Sequence, residues 1–356
     1  MSNSYARSGV DTTDADAGVE AIVSVLGRIN TGAPSRVIPL PGHFAAVLRI
    51  ADGLGLAFCT DGVGSKLLVA EQTGRLETVG IDCVAMNVND LVCVGAEPIA
   101  LVDYIAVEES NPERLAALAE GLRAGAELAG IEIPGGELAQ VPELIRGHPS
   151  PNGFDLCASA IGTVGLDSII DGTSIAPGNA IIGLPSSGLH SNGLTLARSV
   201  LLGEGTLDEK PDLLNGQSVA DVLLEPTEIY VRSALELIRS DIVVTGLFHL
   251  TGGGLLNLLR LGRESGYRID SPLPTQPVFE LIASRGNIPV EEMYEVFNMG
   301  CGFAVTVAAE DADRATALLA AHHEGTRIIG EVTPEAGTVS VPNLGITGTA
   351  AGLAAV

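Results

Sequence analysis

The stretch Thr60-Asp61-Gly62-Val63-Gly64-Ser65-Lys66 follows the short apolar run Leu56–Cys59, which has the pattern of a buried strand. Its lysine is one of only two in the chain, because the other basic residues are all arginine. Glycines let backbone N–H groups approach an anion, a lysine adds a point charge, and an aspartate can hold a divalent ion. The stretch therefore indicates phosphate and magnesium, and an Asp-Gly turn without a ligand is the alternative.

Length and composition limit the possible folds and functions. A chain of 356 residues is long for one core, so two domains are expected. Hydrophobic residues make up 46%, with 3% aromatic and no tryptophan, which predicts a core of Ala, Val, Leu and Ile. The net charge of −25 excludes nucleic acid and an anionic membrane surface as general partners. Five cysteines without metal-ligand spacing, and no signal peptide or membrane-spanning run, predict a soluble cytoplasmic protein.

The order of the patterns predicts an α+β protein with two domains. Strand and helix patterns alternate to about residue 165, and Asp-Gly and Pro-Gly turns over residues 167–179 mark a boundary. We therefore place the domains at residues 1–166 and 167–356. Short strands able to pair antiparallel, with helices on one face, favour two α+β layers over a doubly wound parallel sheet.

Individual elements follow from periodicity and capping. The clearest helix runs from Asn111 to Gly130, with Asn111 as its cap and Pro112 at its first position. Residues 79–95 form a helical pattern with a polar stripe, whose members are Asp82, Met86, Asn89 and Asp90. The remaining patterns predict helices over residues 194–202, 228–240 and 255–261, and strands over residues 101–107 and 303–308.

Three acidic residues follow separate strands or helices beside small residues or glycines. They are Asp61, Asp90 and Glu137. Magnesium takes one or two carboxylates together with phosphate oxygens, so convergence of these acids would form a metal site. The alternative for each is a solvated turn acid or a helix cap.

Two further glycine-containing runs precede helical patterns. Ser186–Gly193 contains hydroxyls, an amide and a histidine, which suits an anion cradle at a helix N-terminus or a Ser/Asn-rich cap. His249–Gly254 ends in three glycines, which favours close approach of a ligand. His190 and His249 could each transfer a proton or serve the scaffold. His322 and His323, at a polar helix end, are expected to be solvated.

Together these runs closely resemble phosphoribosylformylglycinamidine cyclo-ligase, also called aminoimidazole ribonucleotide synthetase. The matching runs keep the family's order over nearly the whole chain. They are Tyr5 with Ser8–Asp11, TDGVGSK (60–66), GIDCVAMNVNDLV (80–92), AEP (96–98), VDY (102–104), GGE (135–137), SSGLHSNG (186–193), LLEPTEIYVRS (223–233), HLTGGG (249–254), GN (286–287) and EMYEVFNMGCG (292–302).

The resemblance implies a homodimer of two-domain subunits, with N-terminal domains pairing into a β-barrel and a C-terminal α/β sandwich. It also implies ATP-dependent cyclisation of formylglycinamidine ribonucleotide to aminoimidazole ribonucleotide, with release of ADP and phosphate, in purine synthesis. The first domain would bind ATP and Mg²⁺ and form the dimer, and the second would lie on the substrate side.

The resemblance also assigns site residues. The cofactor-binding set is Asp61, Gly62, Gly64, Ser65, Lys66, Asp82, Asn89, Asp90, Gly135, Gly136 and Glu137. The substrate-binding set is Ser187, Gly188, His190, Ser191, Asn192, Gly193, Thr251, Gly252, Gly253 and Gly254. Asp61, Asp90 and Glu137 would hold the metal. Lys66 would neutralise the transferring phosphoryl group, and His249 would transfer a proton or orient the site.

Departures from the family pattern leave two alternatives to weigh. Residues 40–45 lack the family's glycine-rich loop, Leu138 replaces a threonine, and Ser65 replaces a threonine but keeps the hydroxyl. A nucleotide-binding paralogue without catalysis is therefore one alternative. Superfamily relatives are the other: selenophosphate synthetase needs a reactive cysteine near the N-terminus, and none precedes Cys59. Thiamine-monophosphate kinase lacks SSGLHSNG in this form.

Overall fold

A computed structural model describes residues 12–203, 205–262 and 264–356. The family run Tyr5 with Ser8–Asp11 therefore lies outside the described residues. Within these ranges the chain forms two sheets, one from the first half of the sequence and one from the second. No helix in the same ranges is both long enough and apolar enough to cross a membrane.

The N-terminal sheet has six strands in the order β1-β2-β3-β6-β4-β5. The strands are β1 (Val37–Ile38), β2 (Ala46–Ala51), β3 (Leu54–Gly62), β4 (Glu97–Val107), β5 (Glu132–Gln140) and β6 (Phe154–Gly165). The helices of this half are α1 (Thr12–Leu26), α2 (Leu67–Thr73), α3 (Glu77–Cys93) and α4 (Pro112–Ala129). Helix α4 connects β4 to β5, and this crossover makes them a parallel pair.

The C-terminal sheet has the order β14-β13-β12-β9-β11-β7-β10-β8. Its strands are β7 (Ala180–Pro185), β8 (Val244–His249), β9 (Gly266–Ile269), β10 (Cys301–Val307), β11 (Arg327–Thr333), β12 (Val339–Val341), β13 (Ile346–Thr349) and β14 (Gly352–Ala355). Its helices are α5 (Leu194–Leu201), α6 (Val219–Leu223), α7 (Val231–Ile238), α8 (Pro277–Gly286), α9 (Val290–Val296) and α10 (Ala312–Ala320). Short 3₁₀ helices cover Gly64–Lys66, Leu166–Ser168, Asp212–Leu214, Gly254–Arg260, Ala309–Asp311 and Pro342–Leu344.

Antiparallel pairing dominates both sheets, and the expected α+β class is confirmed. Only β4–β5 and β9–β12 pair in parallel among the described residues. Over the described residues neither sheet closes on itself in the single chain, because each strand order begins and ends with a different strand. A barrel of paired N-terminal domains is therefore a question of assembly, taken up below.

Most sequence-predicted elements agree with the structure, and two differ. The capped helix is present as α4, where the Asn111 side chain accepts from the N–H groups of Glu113 and Arg114. The helix predicted over residues 228–240 spans only Val231–Ile238, because residues 225–230 bind helix α3 instead. Residues 255–261 form a 3₁₀ helix rather than an α-helix.

Helices α3 and α4 cross with their backbones in contact. A Cβ atom on Gly121 would overlap the carbonyl oxygen of Glu77, and one on Gly80 would lie 2.5 Å from the nitrogen of Leu122. A Cβ atom on Gly125 would likewise lie 2.9 Å from the Cβ of Val84. Because only glycine fits this crossing, the two helices and the sheet beneath α3 have a fixed spacing.

The outer face of the N-terminal sheet, opposite α3, exposes apolar side chains. On β6 the inward residues such as Leu156 are buried while Ile161 is 37% exposed. Leu54, Val102 and Tyr104 project from the same face and are 38%, 46% and 41% exposed. We call Leu54, Val102, Tyr104 and Ile161 the outer apolar patch, which is suited to burial by another protein surface.

His43 fixes the loop between β1 and β2 to the segment that joins the two sheets. Its Nε2 donates to the carbonyl oxygen of Ile170 at 2.8 Å, and its Nδ1 accepts from the N–H of Phe44 at 2.9 Å. Burial lowers the pKa of His43 to about 4. The neutral ring is therefore part of the native structure at neutral pH.

Gly121→Ala should destabilise the protein by roughly 3 kcal/mol, the upper end of the cost of overpacking, because the new methyl group meets backbone that cannot rotate away. Urea unfolding measures this loss. Gly18→Ala is the matched control, since no atom lies within 4 Å of its Cβ position and the residue is in helix α1. Equal stability of the two variants would contradict a tight crossing.

His43→Gln should reduce the loss of unfolding free energy that the protein shows as pH falls below about 6.5. The folded pKa of about 4 lies below the unfolded value, so wild-type stability falls as pH decreases from about 6.5 to 4. The loss of unfolding free energy between these pH values should be about 3 kcal/mol smaller in the variant than in wild type. Urea unfolding at several pH values measures this difference. His322→Gln makes the same change at a surface histidine bonded to Glu236 and serves as the control.

Candidate active site between the two sheets

Strand β3 ends at the glycine-spaced turn and presents Asp61 beside it. The Oδ1 atom of Asp61 accepts from the N–H of Gly62 at 2.7 Å, and Gly64 adopts a left-handed conformation with φ 73°. Ser65 contacts Thr195 of helix α5 through their hydroxyls at 2.9 Å. The turn that follows Asp61 therefore contacts the C-terminal half through Ser65.

The polar stripe of helix α3 forms the joint between the two halves. Asp82 accepts from both the N–H and the hydroxyl of Thr227, at 2.7 and 2.6 Å. Asn89 accepts from the N–H of Tyr230 and donates to the carbonyl oxygen of Glu228, both at 2.9 Å. Asp82 and Asn89 are expected from the family pattern to support the nucleotide site, whereas the structure gives both side chains bonds to the segment at residues 225–230.

Lys66 lies inside this joint rather than at an open surface. Its Nζ is 2.7 Å from the Oδ2 of Asp82, and both side chains are fully buried. The same ammonium donates to the carbonyl oxygens of Glu225 at 2.6 Å and His190 at 3.4 Å. The predicted contact with a transferring phosphoryl group is therefore not available in this structure.

Asp61, Asp90 and His249 form one electrostatic group. The Nδ1 of His249 is 2.8 Å from the Oδ1 of Asp90, and the Nε2 faces the Asn89 amide nitrogen at 3.5 Å. Burial raises the pKa of Asp61, and the charge of Asp90 raises it further while His249 opposes the rise. Two carboxylates that repel each other in a partly open site are suited to a divalent cation.

Glu137 does not join Asp61 and Asp90 within one chain. Lateral pairing runs from Asp61 through Ala158 and Asp103 to Gly136, so these four residues share the inner face of the sheet. Glu137, the next residue, projects from the opposite face. A Cβ on Gly136 would collide with the Asp103 carboxylate, which confirms that face for Gly136.

The predicted metal triad is accordingly incomplete in the chain. In residues 12–203, 205–262 and 264–356, no three His, Cys, Asp or Glu side chains are grouped closely enough to hold a metal ion. Gly135 and Gly136 lie in the edge strand β5, at some distance along the sheet from β3. The acid that shares the row with Asp61 is Asp103, whose pKa burial raises and which the sequence patterns did not single out.

The loop Ser187–Gly193 is anchored by His190. This residue has φ 60°, and its Nε2 accepts from the N–H groups of Ser187 at 3.2 Å and Glu228 at 3.4 Å. Burial, aided by His249 and Lys66, lowers the pKa of His190 well below its usual value, so the ring stays neutral. His190 therefore serves the scaffold, the alternative left open by the sequence. Ser191 contacts the hydroxyl of Thr227 at 3.3 Å.

The turn Thr251–Gly254 lies beside that loop. A Cβ on Gly252 would be 3.1 Å from the Asn192 Oδ1, so the two segments touch. The Asn257 amide donates to the carbonyl oxygens of Thr251, Gly252 and Gly254 and fixes the turn. Gly253 has φ 91°, which favours glycine there. Three glycine-containing segments, at residues 61–66, 187–193 and 251–254, thus meet where Asp61, Asp90 and His249 lie.

Sequence reasoning missed several residues of this arrangement. Asn257 lies in an apolar helical pattern with no signal of its own. Thr227 and Tyr230 belong to a matching family run but were given no role. His323, expected to be solvated, has a side chain only 10% exposed, bonded to Ser233 at 2.9 Å and packed 5.0 Å from the Tyr230 ring.

Comparisons with known proteins agree with this architecture. The family model for the AIR synthase related protein N-terminal domain matches residues 42–164, and the model for its C-terminal domain matches residues 176–342. The solved structure "AaThiL complexed with AMPPCP and TMP" superposes with a TM-score of 0.63 over 91% of this chain and 92% of that one. At 15% identity, this similarity shows the fold alone.

Curated relatives cover nearly the whole chain. The phosphoribosylformylglycinamidine cyclo-ligase of Methanothermobacter thermautotrophicus is 47% identical over 95% of this chain and 96% of its own length. The enzyme of the same name from Thermococcus kodakarensis is 46% identical over 96% of this chain and 98% of its own length. Two family models and these relatives agree, and the chain belongs to the phosphoribosylformylglycinamidine cyclo-ligase family of ligases.

Proposed function

We propose that this protein uses ATP to cyclise formylglycinamidine ribonucleotide to aminoimidazole ribonucleotide, with release of ADP and phosphate, in purine biosynthesis. The observation that carries the proposal is the meeting of three glycine-containing segments around Asp61, Asp90 and His249 in a chain of this family. The same segments lie between the two sheets, where a nucleotide and a second substrate can be held together.

The chemistry explains why ATP is needed. An amide oxygen is a poor leaving group, so transfer of the γ-phosphoryl group to the formyl oxygen converts that oxygen into phosphate. The neighbouring amidine nitrogen then attacks the activated carbon, the C–O bond breaks, and a proton leaves the nitrogen as the five-membered ring forms. The protein's share of this reaction is positioning and charge stabilisation.

Asp61 and Asp90 are the residues that would hold Mg²⁺ with ATP. Burial, with a smaller contribution from the charge of Asp90, raises the pKa of Asp61, and a divalent ion would favour the ionised carboxylate. When bound, Mg²⁺ neutralises charge on the phosphate oxygens. Gly62, Gly64 and Ser65 offer backbone and hydroxyl groups to the phosphates from the turn after β3. Glu137 is not assigned to this ion, because it projects from the other face of the sheet.

His249 takes the orienting role of the two that the sequence left open. Its ring is fully buried, and both nitrogens face partners, Asp90 on one side and the Asn89 amide on the other. The Asn89 amide donates toward Nε2, because its oxygen already accepts from Tyr230, so Nδ1 carries the proton toward Asp90. This hydrogen bond fixes the carboxylate of Asp90 toward the site.

The substrate side is assigned to the loop at residues 187–193 and the turn at residues 251–254. Ser191 and Asn192 supply polar groups that are only partly buried, and the turn supplies close backbone approach. Helix α5 begins directly after the loop, so its N-terminal N–H groups favour an anion such as the substrate's phosphate.

Five free cysteines support a reducing, cytoplasmic setting.

The functional unit in this proposal is a homodimer that buries the outer apolar patch. Four apolar side chains on one sheet face, each more than a third exposed, are costly to leave in water. The free edges β1 and β5 can pair with those of a second copy, which would close the two sheets into a barrel.

Asp61→Asn should lower kcat by at least roughly 10³-fold with Mg²⁺–ATP, while the protein stays folded and dimeric, because the amide cannot neutralise the ion. The measurement is ADP release with and without formylglycinamidine ribonucleotide, matched to formation of aminoimidazole ribonucleotide. Asp52→Asn makes the same change in an exposed hairpin turn and should leave kcat within about twofold of wild type.

Wild-type protein that binds ATP but releases no ADP in the presence of substrate would contradict the proposed reaction and support the non-catalytic alternative. Near-normal turnover by Asp61→Asn, with wild-type protein active, would instead remove only the role of Asp61.

Val102→Asp should convert the dimer to a monomer, because a charge in the centre of the outer apolar patch cannot be buried unpaired. Sedimentation or light scattering measures the mass. Val243→Asp, at a valine that is 65% exposed in the C-terminal half, is the matched control and should remain dimeric. A Val102→Asp protein that stays dimeric would rule out this face as the contact.

A further inference from the structure

The ammonium group of Lys66 is surrounded by acceptors of the protein itself. An ammonium group has three N–H donors and no acceptor. Its three neighbours are the Asp82 carboxylate at 2.7 Å, the Glu225 carbonyl oxygen at 2.6 Å and the His190 carbonyl oxygen at 3.4 Å. The side chain is 0% exposed, so solvent does not reach it.

Each of these acceptors belongs to a different segment of the site. Asp82 comes from helix α3, and its other oxygen binds Thr227. Glu225 begins the segment that continues to Thr227, and His190 lies within the loop at residues 187–193. Lys66 itself follows the turn that carries Asp61. One buried charge therefore ties the Asp61 turn to the proposed substrate loop.

Contact between Lys66 and a phosphate would need this arrangement to break. The ammonium would have to leave Asp82, and the carboxylate would remain buried without its counter-charge, which is strongly unfavourable. A lysine that binds phosphate in a turn of this kind has donors directed at the ligand. Here the ammonium faces two backbone carbonyl oxygens and the Asp82 carboxylate.

We propose that Lys66 is a positioning residue, which holds residues 187–193 and 225–227 against the Asp61 turn and does not contact the transferring phosphoryl group. The proposal rests on the proposed function for the identity of the reaction. Its physical content is that the ammonium acts through the carbonyl oxygens of His190 and Glu225 and through Asp82.

A charge-balanced double variant separates this role from direct catalysis. Lys66→Met alone leaves Asp82 buried and unpaired. Lys66→Met with Asp82→Asn removes both charges, and the side-chain oxygen of the introduced amide would still accept from Thr227. Lys210→Met is the matched control, because Lys210 is the only other lysine and is exposed.

The expected results differ between the two variants. Lys66→Met should lower Tm by roughly 5 °C or more, and the double variant should recover most of that loss. The double variant should keep kcat within about tenfold of wild type, with KM for formylglycinamidine ribonucleotide raised about tenfold and KM for ATP changed less than about threefold. Lys210→Met should match wild type throughout.

Two kinetic outcomes would overturn the proposal. A double variant with recovered Tm, raised KM for ATP and kcat still about 10²–10³-fold low would show that Lys66 acts on the phosphoryl group. A double variant with recovered Tm and wild-type kinetics in every parameter would show that the lysine is only structural.

Amide hydrogen exchange gives a readout that needs no turnover. The double variant should exchange faster than wild type at residues 187–193, with unchanged exchange in strand β10 of the C-terminal core. Equal protection of the loop in both proteins would overturn the positioning role, even if the wild-type protein failed to cyclise the substrate. Loss of wild-type turnover alone would count against the proposed function and not against this role.

Discussion

The buried ion pair between Lys66 and Asp82 is the constraint on which the site depends. Two charges without solvent contact are stable only when each is paired and hydrogen-bonded, and removal of one partner typically costs about 3–5 kcal/mol. Here both charges belong to the N-terminal half, and the bonds that satisfy them come from Thr227, Glu225 and His190 of the C-terminal half. Correct desolvation of the pair therefore requires correct docking of the two sheets, and the active-site turn is placed as a result.

Around this neutral centre the protein concentrates negative charge where a cation would bind. The chain already carries a net charge of −25, and at this site burial and the nearby charge of Asp90 raise the pKa of Asp61. The structure does not relieve this repulsion with Lys66, which is bonded elsewhere. Perturbed pKa values of this kind cluster at functional sites. In the proposed site, stability and function therefore fall to different residues of the same short turn.

Much of the fold was predictable from sequence, because local rules determine it. The cap at Asn111 and the helix end at Gly130 each follow from one residue type at one position, and the polar stripe on α3 follows from the spacing of its residues. The candidate site was predictable by segment but not by side-chain direction. Gly136 and Glu137 are neighbours in sequence but lie on opposite faces of the sheet. Only the pairing register from Asp61 through Asp103 shows which of the two shares the face of Asp61. The burial of Lys66 and His323 was not predictable, because burial by a distant segment leaves no local trace in sequence.

The absence of tryptophan makes the tyrosine fluorescence of this protein observable at the joint. Intrinsic emission of this protein comes from its five tyrosines alone, with no indole to accept their energy. Tyr230 is fully buried at the joint, stacked 5.1 Å from Phe303 and bonded through its hydroxyl to the Pro185 carbonyl oxygen, while Tyr104 lies in the outer apolar patch. The ultraviolet fluorescence of the unmodified chain therefore reports on the contact between its halves and, in the proposed dimer, on the contact between copies, without an introduced label.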